Sequence, residues 1–324
     1  ITDEDKRLFS QKLNQNLALL GLSRRGNRRE ILRQHLEALE RKSKLEHALD
    51  NYHIEQSMII IEQAIPCILH MENRVGEKIL KMLLIDADIL LYQATAATEV
   101  ETDWGDDVWS LTTDLKQAKL MFLERLAAIQ DRLGDGDVTL CISDKENFRK
   151  TVYPTYKSNR KKTRKPLGYP VMVTWAKQKF TNVTLPNLEA DDVLGILQTI
   201  PYNQGKTTIV SDDKDLKTIP GKLYRPMSDE ELVITEAEAD KNFLLQTLTG
   251  DAVDSYPGLK GYGPKTAEKL LGNRPAWSLV EQAYIKAGQS REDALVQARL
   301  ARILRWSDWD AETNTVKLFQ GSMS

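Results

Sequence analysis

The sequence is poor in the side chains that build zinc sites and disulfide networks. Among its 324 residues there are only 2 cysteines, Cys67 and Cys141, and 4 histidines. The two thiols fit neither a zinc module nor a framework of disulfides, so we interpret both as structural. This cysteine usage suits a reducing compartment, and we expect a cytoplasmic location.

Long hydrophobic runs are also missing. The most apolar stretch, "SMIIIEQAIPCILHM", is interrupted by Glu62, Gln63 and Pro66. It is shorter than the ~20 residues that a membrane span needs. The first ten residues are acidic, whereas a secretory signal is basic and then apolar. We therefore expect neither export nor a membrane anchor.

Positive charge is not in excess. The chain has 45 Lys and Arg against 47 Asp and Glu, which gives a formal net charge of -2. A protein with this balance is not coated in positive charge, so nucleic-acid binding would have to come from a local patch. The 41% of hydrophobic residues is ordinary for a folded globular protein.

One such patch is "YKSNRKKTRKP", residues 156–166. Its six cations are Lys157, Arg160, Lys161, Lys162, Arg164 and Lys165. Taken alone, the run is typical both of a solvated charged segment and of a binding site for an acidic ligand. Tyr156 and Tyr169 offer rings on which bases stack, and Arg149 precedes them in "NFRK". These neighbours favour a nucleic-acid grip.

The pattern of the chain changes near residue 81. Residues 1–80 carry leucines at helical spacing and predict an N-terminal helical module. Three short apolar runs, "KMLLIDADILLY", "DVTLCISD" and "KTTIVSDDKD", then lead into aspartates, with helical stretches at 114–133 and 188–199 between them. This alternation predicts an α/β fold with a mostly parallel central sheet and flanking helices.

Acidic residues recur where these elements end or begin. The nine candidates are Asp86, Asp144, Glu189, Asp191, Asp192, Asp213, Asp215, Asp251 and Asp254. Each alone is equally a helix cap or a turn former. If the fold gathers them at the carboxyl ends of the strands, they cannot all stay ionised without a countercharge. Oxygen-only ligands then predict Mg²⁺, with Mn²⁺ as a substitute.

A Gly/Pro-rich segment, "PGLKGYGPKTAEKLLG", follows in the last third of the chain. Gly261 and Gly263 would let the backbone approach a phosphate, and a helix is expected to begin near Pro264. Lys265 and Thr266 would add a charge and a hydroxyl. The segment predicts a helix-hairpin-helix that holds a DNA backbone without reading bases, although an ordinary loop between packed helices is the alternative.

Six segments in this order resemble the structure-specific 5′ nucleases, the flap endonuclease and 5′-to-3′ exonuclease family, and are most similar to its phage-type exonucleases. They are "LLIDAD", "ISDKENFRK", "YPTYKSNR", "LEADDVLGI", "IVSDDKDLKTI" and "GDAVDSYPGLKGYGPKTAEKLL". The resemblance covers about residues 82–305 and implies a PIN-like 5′ nuclease core. If the protein is phage-encoded, the expected location is the host cytoplasm.

The resemblance implies a role for each matching residue. All nine acids match metal ligands, Lys157 and Arg160 match cations that contact the scissile phosphate, and Tyr156 matches a position that stacks on terminal bases. The remaining expected DNA contacts are Arg149, Lys161, Lys162, Arg164, Lys165, Gly261, Gly263, Lys265 and Thr266. Two Mg²⁺ ions would hydrolyse phosphodiesters, and a monovalent cation at the helix-hairpin-helix is a further candidate.

The expected substrates are duplex DNA ends, nicks and 5′ flaps, with RNA–DNA hybrids as a further candidate. Three features depart from the family pattern. Ala87 stands where Gly is common, Asp88 and Asp212 are extra acids, and only 29 positions separate Arg160 from Glu189. The short arch favours exonuclease action over threading of long flaps.

The motifs divide the chain into four predicted parts. These are an N-terminal helical module (1–80), a nuclease core (81–234) with a short basic arch at about 156–170, a helix-hairpin-helix subdomain (235–275) and a C-terminal helical segment that completes the core (276–324). Two rival functions remain, a non-catalytic DNA-binding or scaffold protein and an RNA-directed PIN-like nuclease. The N-terminal helices are a candidate site for self-association or a protein partner.

Overall fold

The structure, a computed structural model, describes residues 81–134, 136–162 and 164–322, apart from the side chains of Lys161 and Lys162. The predicted N-terminal helical module therefore lies outside the described residues. Within the described ranges, no helix is long and apolar enough to cross a membrane.

A six-stranded sheet forms the centre of the fold. Its strands are β1 (Met82–Asp86), β4 (Asp137–Cys141), β5 (Asn182–Val183), β6 (Thr207–Val210), β7 (Gly221–Arg225) and β8 (Glu230–Ile234). They lie in the order β5-β4-β1-β6-β7-β8, and every pair is parallel except β7 with β8. The predicted, mostly parallel sheet is confirmed.

Helices flank this sheet and continue beyond it. They are α1 (Ala87–Ala96), α2 (Leu115–Leu133), α3 (Arg149–Val152), α4 (Tyr169–Lys179), α5 (Ala190–Thr199), α6 (Glu236–Thr249), α7 (Pro264–Leu271), α8 (Trp277–Lys286) and α9 (Arg291–Ala301). Short 3₁₀ helices span Ser158–Lys162, Pro201–Asn203, Lys214–Thr218 and Trp306–Asp308. Two minor hairpins pair β2 (Glu99–Asp103) with β3 (Trp109–Thr113), and β9 (Trp309–Asp310) with β10 (Thr315–Val316).

Alternation along β1 explains why the sheet has a core on each face. Leu83 and Ile85 belong to a buried cluster with side chains of α1, α2 and α4, whereas Leu84 belongs to a second cluster with side chains of α5 and β6. Successive side chains of a strand point to opposite faces, so a strand buried on both faces reads as one continuous apolar run. That is the pattern of "LLID".

The order of the strands reverses beside β1. From β1 the chain moves outward to β4 and β5, then returns to place β6 on the other side of β1. In open α/β sheets, ligands bind beyond the carboxyl ends of the strands at such a reversal. Asp86 ends β1 and Ser211 follows β6, so both side chains lie at this point.

A third buried cluster joins helices α6 to α9. The backbone at Gly250 and at Gly258, the two ends of one turn after α6, is in close contact. A Cβ atom on Gly258 would lie only 2.3 Å from the backbone nitrogen of Gly250. Both glycines have positive φ, at 64° and 66°, a conformation that residues with a side chain rarely adopt. This close contact turns the chain back toward α7.

The β2–β3 hairpin was not predicted. Trp104 and Trp109 are both exposed on it, and it carries five acidic residues and no basic one. Its sequence does hold a signal, because the alternating "EVETD" and "WSLTT" flank a Gly-Asp turn. The basic arch also differs from a helical arch: its described residues form a 3₁₀ helix, Ser158–Lys162, followed by irregular chain up to α4.

Candidate active site

Asp86 lies deepest among the acids at the strand ends. It is 3% exposed, caps the start of α1 and accepts a hydrogen bond of 2.7 Å from the hydroxyl of Ser211. Burial raises the pKa of Asp86 to about 7 despite the Ser211 bond, and the charges of Asp88 and Asp213 add to the increase. Ser211 was not predicted as a site residue.

Three more carboxylates belong to the same series of interacting charges as Asp86. Burial, followed by the charges of Asp86 and Asp213, raises the pKa of Asp191 well above its ordinary range. Asp213 caps the 3₁₀ helix Lys214–Thr218 and accepts the N–H of Asp215 at 2.8 Å. Burial and the charge of Asp213 raise the pKa of Asp215 to about 6. Among the described residues, none of these four acids has an ion-pair partner, and we call Asp86, Asp191, Asp213 and Asp215 the unpaired acids.

The unpaired acids fit a hard divalent cation by their chemistry. They offer only carboxylate oxygens, and each charge makes its neighbours harder to ionise. Among the described residues, no three acidic, histidine or cysteine side chains are already arranged around one point to hold an ion. These side chains would therefore have to change orientation to hold an ion together.

A second set of acids is neutralised by cations. Glu189 caps α5, pairs with Lys157 and accepts a 3.0 Å hydrogen bond from the hydroxyl of Tyr156. Burial alone would raise the pKa of Glu189, but Lys157 and Arg149 together lower it to about 2.

Two acids of the α6–α7 loop are held in the same way. Asp254 pairs with Arg160 at 2.6 Å and with Lys157 at 3.5 Å. Asp251 pairs with Lys214 at 2.9 Å, which outweighs the effect of burial and lowers the pKa of Asp251. We call Glu189, Asp251 and Asp254 the paired acids.

Asp192 and Arg149, predicted as a metal ligand and a DNA contact, form a closed ion pair with each other. Arg149 is 2% exposed and donates to both carboxylate oxygens of Asp192 at 2.7 Å, as well as to the carbonyls of Leu300 and Arg302. Asp192 also accepts the N–H of Leu304 at 3.1 Å. A guanidinium buried in this way does not reach DNA, and the oxygens of Asp192 are already occupied by donors. The pair ties α3 and the start of α5 to the segment after α9.

Tyr156 is likewise placed away from a stacking role. It is 4% exposed, its hydroxyl lies 3.0 Å from both Glu189 and Asp254, and its ring stacks on Tyr256 with centroids 6.4 Å apart. The structure thus places the ring predicted to stack on terminal bases against another tyrosine. Here Tyr156 instead bridges two paired acids.

Asp144 is engaged by backbone donors. Its carboxylate accepts the backbone N–H groups of Lys145 at 2.7 Å and Asn187 at 2.8 Å, and so holds a loop after β4. Asp88, whose role the sequence did not predict, is closer to the unpaired acids, because its charge contributes to the pKa of Asp86. The extra Asp212 accepts the N–H of Met227 and shapes a turn.

The remaining predicted DNA contacts lie on two surfaces. Arg164 pairs with Glu99 of β2 through two bonds of 2.8 and 2.9 Å, and the ammonium of Lys165 lies 4.4 Å from the ring centroid of Tyr169. At the start of α7, four residues are exposed at the surface: Gly261, Gly263, Lys265 and Thr266. Gly261 has a φ of 87°, and the positive end of the α7 dipole lies at this surface, where it attracts an anion.

Residues 81–243 match the family described as "5'-3' exonuclease, N-terminal resolvase-like domain". An exonuclease of Escherichia phage T7 is 29% identical over 270 residues, which covers 71% of this chain and 90% of the relative. A 5'-3' exonuclease of Aquifex aeolicus is 31% identical over 189 residues, 51% of this chain and 62% of the relative.

Among solved structures, a zinc-bound 5'-exonuclease from T5 has the same fold. The TM-score is 0.52 at 14% sequence identity, and the match covers 68% of this chain and 89% of that one.

Proposed function

Because this chain belongs to the 5′-3′ exonuclease family, we propose that it is a divalent-metal-dependent phosphodiesterase that degrades DNA from 5′ ends. The observation that carries the proposal is the group of unpaired acids at the strand-order reversal of the sheet. Raised carboxyl pKa values in a cleft with oxygen donors are typical of a metal-dependent catalytic site. The exonuclease names of the T7 and Aquifex relatives and the metal ions of the T5 structure support the same function.

The unpaired acids would hold the metal, which we propose to be two Mg²⁺ ions with Mn²⁺ as a substitute. When bound, such ions supply an activated water and stabilise the leaving oxygen. The protein's own contribution is a set of carboxylates on a backbone that is already in place. Asp86 is held by Ser211, and Asp213 by the 3₁₀ helix that it caps, so little reorganisation of the backbone is needed.

Lys157 and Arg160 would bind the scissile phosphate. In this structure they neutralise Glu189 and Asp254. A divalent ion next to these acids would compete with the two cations for the carboxylates, and a phosphate would offer the cations a new anionic partner. The pairs thus keep Lys157 and Arg160 beside the acids until substrate and metal arrive, an electrostatic role in the reaction.

The start of α7 would hold the DNA backbone away from the cleavage site. The positive end of its dipole, with Lys265 and Thr266, forms an anion-binding surface that does not read sequence. Duplex ends, nicks and 5′ flaps are the proposed substrates, with RNA–DNA hybrids as a further one, and 5′-phosphorylated mononucleotides or short oligomers the products. A monovalent cation at the α6–α7 loop remains part of the proposal.

The decisive experiment compares cleavage of blunt, nicked and 5′-flap duplexes with Mg²⁺ and with EDTA. We expect Asp191→Asn to lower the rate by about a thousandfold, because it removes a charge that the metal requires. Asp131→Asn is the matched control, since Asp131 is exposed on α2. DNA that is bound but not cut by the wild-type protein with Mg²⁺ would contradict the proposal and indicate a non-catalytic DNA-binding protein.

A further inference from the structure

Asp88 contacts two parts of the site, the loop after β4 and the residues after the basic segment, whose relative position matters for cleavage. It lies in the first turn of α1, two residues after Asp86. One carboxylate oxygen accepts the backbone N–H of Ser143 at 3.3 Å, and the other accepts the hydroxyl of Tyr169 at 3.0 Å. Both oxygens are therefore engaged by donors from other elements.

Each donor belongs to a different functional region. Ser143 follows β4, and its own hydroxyl accepts the N–H of Ala190 at 2.8 Å, at the start of the helix that carries Asp191. Tyr169 is the first residue of α4 and lies three positions after the basic segment, residues 156–166. Asp88 thus links Tyr169 to Ser143 through the two hydrogen bonds that it accepts, and a third bond, between Ser143 and Ala190, extends the link to the start of α5.

The ring of Tyr169 also contacts the basic segment. The ammonium of Lys165 lies 4.4 Å from the centroid of its ring, a distance at which a cation is attracted to the ring face. The neighbouring Gly168 donates its N–H to the hydroxyl of Thr113 at 3.0 Å, so the backbone at this point is held by β3 as well. The hydroxyl of Tyr169 is what ties the segment to Asp88 and so to the acids.

We propose that Asp88 is a positioning residue that fixes the end of the basic segment, residues 164–166, relative to the unpaired acids. The inference rests on the proposed function, since it assumes that the acids hold metal and the basic segment holds phosphate. The proposed role of Asp88 is to hold other residues in position. Asp88 acts through the two hydrogen bonds that it accepts, and its negative charge is not what the reaction uses.

This difference can be tested because asparagine can make both bonds without the charge. In the Asp88→Asn variant, the amide oxygen would accept from Ser143, and the amide N–H would donate to the Tyr169 oxygen, since a phenol also accepts. Asp88→Ala removes both bonds. Tyr169→Phe removes one bond and keeps the ring under Lys165, and Asp131→Ala is the matched control on an exposed acid.

The rate of cleavage and the salt dependence of DNA binding in EDTA are measured for each variant. We expect Asp88→Ala to lower kcat/KM about 10- to 100-fold, the size of effect that a misplacement of about 1 Å produces. The slope of log Kd against log salt should fall by about one, as for one lost phosphate contact. Asp88→Asn should stay within about threefold of wild type, and the double variant Asp88→Ala/Tyr169→Phe should be no worse than Asp88→Ala because the two residues share one interaction.

Two results would overturn the inference. One is an Asp88→Asn variant as impaired as Asp88→Ala, which would show that the charge is required and that Asp88 acts on the metal. The other is an Asp88→Ala variant with wild-type rate and salt slope, confirmed as folded by its thermal melt. Failure of the proposed function looks different, because the wild-type protein with Mg²⁺ would then leave DNA uncut, whatever residue stands at position 88.

Discussion

The unpaired acids and the paired acids lie in one site but experience opposite electrostatic surroundings. Burial and mutual repulsion raise the pKa of Asp86 to about 7, whereas Lys157 and Arg149 lower that of Glu189 to about 2. Both groups are removed from water, so desolvation is common to them. The difference comes from the cations, which only one of the two groups possesses among the described residues.

This contrast indicates a different role for each group of acids. A carboxylate with a neighbouring cation is stable as an anion in the free protein, and it keeps a phosphate-binding lysine or arginine in place. A carboxylate among other carboxylates is stable only when protonated or bound to a metal. The unpaired acids therefore gain most from a divalent ion, and we expect the metal to bind there first.

The largest expected effect comes from replacing Arg149, the buried cation that contacts the paired acid Glu189 and holds Asp192. Arg149→Met would leave the fully buried Asp192 without its partner and should destabilise the protein by about 3–5 kcal/mol. Lys150→Met, at the next, exposed position, is the control and should melt like wild type. Chemical denaturation measures the loss. A melting temperature for Arg149→Met equal to that of Lys150→Met would contradict the buried pair.

The pH dependence of stability should separate the two groups in the metal-free protein. A raised carboxyl pKa favours the protonated folded state, so the contribution of Asp86 is present below pH 3.8 and is lost as the pH rises through about 7. A shift of this size corresponds to roughly 4 kcal/mol. For Glu189 the sign is reversed, because its contribution is present above pH 4.5 and is lost as the pH falls through about 2.

Thermal melts from pH 3 to pH 8 in EDTA, repeated with saturating Mg²⁺, measure this effect. The metal-free protein should be most stable near pH 4–5, and Mg²⁺ should raise the melting temperature most at pH 8, where the unpaired acids are charged. An increase in melting temperature that is the same at every pH would show that the unpaired acids are not the metal site.

A matched pair of neutral substitutions compares the two groups directly. Asp191→Asn removes a carboxyl group whose ionisation is opposed in the folded state by burial and neighbouring charges, and should stabilise the metal-free protein by about 1 kcal/mol. Glu189→Gln deprives Lys157 of its nearer partner and should destabilise the protein by about 1–3 kcal/mol. Both substitutions are isosteric, and urea denaturation in EDTA measures both. Changes of the same sign would remove the distinction between the groups.

The fold and the position of the site were accessible from sequence because local patterns determine them. Strands buried on both faces appear as apolar runs, and parallel strands place their carboxyl ends at one edge, so Asp86 and Asp213 were expected to lie together. The predicted helices at 114–133 and 188–199 were found at Leu115–Leu133 and Ala190–Thr199.

The pairing of charges was not accessible from sequence, because it depends on residues that are distant in the chain. Asp191 and Asp192 are neighbours in "EADD", yet only Asp192 meets Arg149, which lies 43 residues away. Successive helix residues point in different directions, but which direction meets the guanidinium is decided by how α3 packs against α9. For the same reason, nothing local in "NFRK" distinguishes the buried Arg149 from an exposed DNA contact.

The smallest expected effect concerns the ion pair between Arg164 and Glu99. The pair has bidentate geometry and lowers the pKa of Glu99 to about 2, mainly through the hydrogen bond from Arg164, but it lies at the protein surface. Exposed pairs are screened by salt and contribute little to stability, so Arg164→Gln should leave the melting temperature unchanged at about 0.15 M salt. If Arg164 leaves Glu99 to contact a phosphate, the same variant should reduce the slope of log Kd against log salt by about one.

Glu99→Gln is the matched control. It frees Arg164 from its partner and should strengthen DNA binding slightly, whereas equal weakening by both variants would show that the pair, and not the free arginine, presents the basic segment to DNA.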